Sequence, residues 1–258
     1  MSGGCRARLA TRAIPAVVAL ALVPFTVGAA APSPARAQAA ATIRPSFLPD
    51  VLGSSTAFTF ALRVRGPGPE GVPPPLSRFA LHLPAGLAID MRAAAVCGES
   101  RLRRSGPRGC PASSLVGRGQ ATLAVHAGSQ SIDEQATASA FRGPDRAGRA
   151  TLLILTRGQT PLQQQTISTG TLSSDRPPYG LKLTVSVPAI PTLVLEPDAS
   201  ILSFSLTVGG MGSRPRAHAA AARVIIPRRC PAGGFPFAAD LSFTDGTATR
   251  ALARLPCP

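Results

Sequence analysis

Phe58-Thr59-Phe60-Ala61-Leu62-Arg63-Val64 places a bulky apolar side chain at every second position, with threonine, alanine and arginine between them. A strand has a side-chain period of two, so such a segment buries one face and turns the other to water. A helix would need its apolar positions three and four apart. The alternation recurs outward from this segment. Phe79, Leu81 and Leu83 run up to Pro84, and Ala121, Leu123 and Val125 run up to Gly128. Leu181, Leu183, Val185 and Val187 stop at Pro188, and Leu202, Phe204, Leu206 and Val208 stop at Gly209-Gly210. The run from Thr151 to Thr156 is apolar through its middle, as befits a central strand. Phe237, Leu241 and Phe243 lead into Asp245-Gly246, where glycine tolerates the positive φ of a hairpin turn.

Short alternating strands punctuated by Gly and Pro, with no sustained helical period, predict an all-β chain: an antiparallel β-sandwich of roughly nine or ten strands. Gly66 to Pro75, Thr156 to Thr169 and Gly209 to Ala222 read as loops, with a short helix over Ala217 to Arg223.

The first 37 residues read as a secretory signal. Arg6, Arg8 and Arg12 form the basic start, the stretch from Ala13 to Ala35 is uncharged, and Ala35-Arg36-Ala37 supplies an A-x-A cleavage site. The uncharged stretch is long enough to serve as an uncleaved anchor, but Pro15, Pro24 and Gly28 weaken a spanning helix. Residues 38–258 are then one secreted domain, found at the cell exterior with no stable membrane insertion after cleavage, and large enough to bury a substantial core. Cys5 leaves with the signal.

Four cysteines remain. Cys97 with Cys110 and Cys230 with Cys257 enclose the shortest stretches and are the expected disulfides, permitted by an oxidising compartment. Zinc is the competing reading, but no C-x-x-C spacing occurs and no histidine lies near a cysteine in sequence. No metal and no cofactor are expected.

The net charge of +15 falls to +11 once Arg6, Arg8, Arg12 and Arg36 leave. The skew towards Ala, Gly, Pro and Arg, with a single lysine (Lys182), a single tyrosine (Tyr179) and no Trp, is that of a GC-rich genome, which by itself supplies arginine. Arg101, Arg103, Arg104 and Arg108 crowd the segment between Cys97 and Cys110 against a single Glu99. Guanidinium forks suit phosphate and carboxylate, so these four are the candidate anion-binding residues, against the plainer reading of a solvated loop. A second basic group, Arg214, Arg216, Arg223, Arg228 and Arg229, precedes Cys230. Aromatics are too scarce to stack bases, which argues against specific nucleic-acid recognition.

Catalytic patterns are poor. His82, His126 and His218 are far apart, and the first two sit among strand positions as solvated or rim histidines. No G-x-S-x-G elbow occurs. Gly66-Pro67-Gly68-Pro69-Glu70-Gly71 matches a dinucleotide fingerprint only formally, because its prolines remove the backbone donors the pyrophosphate would need. Asp133-Glu134 read as acids of a polar, solvated turn.

The order Leu83-Pro84-Ala85-Gly86-Leu87, then Cys110-Pro111-Ala112-Ser113-Ser114-Leu115-Val116-Gly117-Arg118-Gly119, then Cys230-Pro231-Ala232-Gly233-Gly234-Phe235 with Phe243-Thr244-Asp245-Gly246 and Pro256-Cys257-Pro258, resembles a family of functionally uncharacterised secreted β-sandwich proteins of high-GC actinobacteria. The resemblance implies a secreted β domain and supports the cysteine pairing. It carries no activity over.

The expected role is therefore a non-enzymatic structural or adhesive component of the cell exterior. A binding module for anionic envelope polymers is the alternative, and an extracellular hydrolase with two unrecognised carboxylates is the third reading. The intact mass of the secreted product should correspond to a chain beginning at Gln38 with no thiol open to labelling; a product that keeps residues 13–35 contradicts the cleavage.

Overall fold

The computed structural model describes residues 38–127, 130–160, 163–192, 197–210 and 222–258. Among them run thirteen strands, all paired antiparallel. They are β1 (Ala40–Leu48), β2 (Ser55–Arg65), β3 (Leu76–Pro84), β4 (Ala88–Asp90), β5 (Leu115–Ala127), β6 (Gln130–Arg146), β7 (Arg149–Thr160), β8 (Gln165–Ser174), β9 (Tyr179–Ser186), β10 (Ser200–Gly209), β11 (Arg223–Ile225), β12 (Phe235–Phe243) and β13 (Ala248–Leu255). One short helix, α1 (Glu99–Ser105), precedes β5. The signal segment, His218, and Arg214 and Arg216 of the basic group before Cys230 lie outside the described residues. So does most of the short helix expected over Ala217 to Arg223, of which Arg223 opens strand β11.

The strands form one hydrogen-bonded path, β13-β12-β3-β9-β8-β7-β6-β5-β10-β2-β11-β4, with β1 added to β2. The inner face of that sheet meets itself. Phe58 of β2 stacks on Phe237 of β12 with ring centroids 5.8 Å apart, and Phe60 of β2 lies 5.3 Å from Phe79 of β3. Phe47 of β1 joins the cluster against Phe58, Phe235 and Phe237. β1 also runs beside β13, which brings one end of the path against the strand that flanks β2. The alternating apolar residues of β2, β3, β9, β10 and β12 form a single buried cluster.

The disulfides join Cys97 to Cys110 and Cys230 to Cys257, with Cα atoms 5.3 and 6.0 Å apart. The hairpin at Asp245-Gly246 forms as its composition predicts: Gly246 has φ +82°, and the Asp245 carboxylate accepts hydrogen bonds from the Thr247 N–H and hydroxyl.

Several expectations need correction. The stretch from Thr156 to Thr169 is not a loop, because β7 continues to Thr160 and β8 begins at Gln165. Asp133 and Glu134 lie within the 17-residue strand β6. The inward positions of β6 and β8 are Ala136, Ala138, Ala140, Thr166, Ser168 and Gly170, small side chains that carry little apolar signal, which is why both strands escape a reading based on bulk. In β10 a register shift between Ile201 and Ser203 turns Ile201 inward in place of Leu202.

Phe237 is 1% exposed and its ring packs against Phe47 of β1 and Phe58 of β2. Phe237→Ala should cost about 3–5 kcal/mol in denaturant unfolding. Leu252→Ala, on the outer face of β13 and 69% exposed, should stay within about 0.5 kcal/mol.

Candidate functional site

The inward faces of the strands do not fill the interior. Beside Phe58, Phe60, Phe79 and Phe204, β5 contributes Ala121 and β8 Ser168, and the leucines and valines of β9 and β10 do not close the space these short side chains leave. The result is a chamber of about 90 Å³ open to the centre of a water-sized sphere. One water needs only about 10–15 Å³ of such space, and folded interiors rarely leave voids this large. The lining is apolar along its length, drawn from β2, β3, β4, β5, β7, β8, β9 and β10 with Val187 and Ile190 after β9, and its polar side chains are confined to Thr156, Thr166 and Ser168.

Thr156 and Thr166 are paired across β7 and β8 at one end of the chamber. Beside them a smaller space of about 20 Å³ is lined by Leu123, Glu134, Gly158, Gln164 and Ile190. Glu134 is 4% exposed, so it is not the acid of a solvated turn: the strand period points it inward while Asp133 faces water. Ile190 belongs to the connection from β9 to β10. Those strands are separated in the sheet by β8, β7, β6 and β5, so this connection crosses the end of the chamber, fixed by the Ala199 N–H donating to the Ile190 carbonyl at 2.8 Å. Outside the same end lies a groove of about 370 Å³ between α1 and the start of that connection, lined by residues including Glu99, Arg103, Gln165, Thr166, Val187 and Pro188.

The four candidate arginines sit on α1 and the 3-10 turn after it (Gly106–Gly109), a helical stretch where the sequence suggested a loop. Leu102 anchors it: fully buried, it packs with Cys97, Phe141, Leu153, Leu155 and Ile167 on the outer face of the sheet. Arg101, Arg103, Arg104 and Arg108 all point to solvent. Arg103 donates to Glu99 at 2.8 Å, and Arg146 reaches the other Glu99 oxygen at 3.4 Å. In the second basic group, Arg223, Arg228 and Arg229 are exposed.

His82 is the site that sequence reasoning misjudged. It is 9% exposed rather than solvated, with Nδ1 2.5 Å from Asp175 and Nε2 2.9 Å from Asp240, and its ring lies 5.2 Å from that of Tyr179. Asp175 comes from the turn between β8 and β9, folded over the outer face of β3. The imidazole fills the gap between these two carboxylates, so they do not form the open pair that glycoside hydrolysis requires. His126 is half-buried and distant in the sheet path, on β5. Among the described residues no three His, Cys, Asp or Glu side chains converge to hold a metal ion. No family model, curated protein or solved structure matches the chain.

Burial pushes the Asp175 carboxyl up, but the hydrogen bond from His82, the Arg176 N–H and the charges of His82 and Lys182 outweigh it and hold the group below the usual carboxylate range. A depressed folded-state value contributes stability that is present above the ordinary carboxylate pKa, about 4, and is lost as pH falls through the lowered value. Asp175→Asn should therefore cost about 1–3 kcal/mol at neutral pH and flatten the acid limb of the Tm profile. An unchanged acid limb counts against this coupling.

Proposed function

We propose that this is a secreted, non-enzymatic binding protein whose domain is a flattened two-layer sandwich, and that it holds an apolar ligand in the chamber. The observation that carries this reading is the chamber itself, an unfilled space of about 90 Å³ walled almost wholly by apolar side chains from eight strands. A structural or adhesive component of the cell exterior has no need of interior space. The two disulfides fit an oxidising extracellular compartment, and no helix among the described residues is long and apolar enough to cross a membrane. A second reading, attachment to anionic envelope polymers, is favoured by the exposure of Arg101, Arg104 and Arg108, for which no ion pair with an acid is found among the described residues.

Filling the chamber tests the first reading without knowledge of the ligand. In a filled core, an inserted side chain costs about 1–3 kcal/mol. Ala121→Leu and Ser168→Leu, both inside the chamber, should leave Tm unchanged or raised while lowering the uptake of an uncharged naphthylamine dye that fluoresces only in apolar surroundings. A clear fall in Tm together with no dye uptake by the native protein overturns the reading.

A further inference from the structure

The chamber, the small space beside it and the outer groove share Thr166, and the chamber and groove also share Val187. Thr166 and Val187, both half-buried, are thus the boundary between chamber and groove, and a chain lying in the chamber would reach the surface past them, between α1 and the connection that crosses the chamber's end. At that exit the wall changes from aliphatic side chains to Gln164, Gln165, Thr169, Ser186, Glu99 and Arg103. An occupant matched to both parts has an apolar body and a polar head.

We propose that the ligand is an anionic amphiphile of the fatty-acid kind, its chain in the chamber and its acidic head in the groove against Arg103; this rests on the chamber being a binding site. Two observations set the sign of the head. Arg103 is 63% exposed and held by a surface ion pair with Glu99. Such a pair contributes little, so the guanidinium can exchange Glu99 for a ligand carboxylate, while Glu99 keeps its contact with Arg146. On the β6 side, the buried Glu134 carboxylate makes a second acid unfavourable, which steers an acidic head outward to the groove. Arg101, Arg104 and Arg108 surround the approach with positive potential, raising the local concentration of anions without touching the bound head.

The test is displacement of the uncharged dye by oleate, oleyl alcohol and oleylamine, which share one chain and differ only in the head, each below the concentration at which it aggregates. Oleate should displace the dye at about tenfold lower concentration than the alcohol, the worth of one charge-assisted contact. Arg103→Ser should erase that advantage with dye uptake retained, and Arg104→Ser should keep it. Should Arg103→Ser fail to fold, the native protein supplies the second measurement: the advantage of oleate over the alcohol should shrink as salt is raised. Equal competition by oleate and alcohol, a salt-independent preference, or strongest competition by the amine that Glu134→Gln removes, overturns the proposal and leaves the chamber reading standing. Absence of dye uptake by the native protein removes both.

Discussion

A sheet whose bulky side chains all project from one face can exist in water only if that face is covered, and here the sheet covers itself. β2 and β3 are consecutive in the chain yet lie far apart along the hydrogen-bonded path, with β10, β5, β6, β7, β8 and β9 between them. They meet face to face through Phe60 and Phe79, and β2 meets β12 through Phe58 and Phe237. Much else in the architecture follows from those contacts. They bring β1, on the flank of β2, beside β13, hold the strands that line the chamber at their spacing, and leave the outer face free to carry α1 and the His82 cluster.

Side-chain size decides where the interior fills. Phe47, Phe235 and Phe237 pack against Phe58, whereas the chamber that Phe58, Phe60, Phe79 and Phe204 help to line stays unfilled where Ala121 and Ser168 face it. The connection over the chamber's end follows from the sheet order: β9 and β10 are neighbours in sequence and not in the sheet, so the chain between them has to cross.

The strands legible in the sequence were those whose inward residues are large, and β2, β3, β9, β10 and β12 fall where alternation placed them. β6 and β8 were invisible because inward positions such as Ala136, Ala138 and Ser168 give little hydrophobic contrast to read. Glu134 carried a weak signal, its place two residues before Ala136 in the same alternation, but an acid next to another acid reads as surface. The pairing of cysteines was recoverable because short loops close most readily. His82 was not: Asp175 and Asp240 are 93 and 158 residues away, and only the sheet order makes them neighbours.

That sheet order also sets when the molecule can be finished. β3 leaves the ribosome early, yet its partners on either side are β9, where Phe79 meets Val185, and β12, where Leu81 meets Ala239. Until the C-terminal residues arrive, β3 has an unpaired row of backbone donors and acceptors, the kind of edge that recruits strands from other chains. A chain cut short before Phe235 would keep that edge permanently. The last twenty-four residues thus act as the closing strip of the sheet, and the burden of keeping incomplete copies apart falls on whatever handles the polypeptide before they emerge.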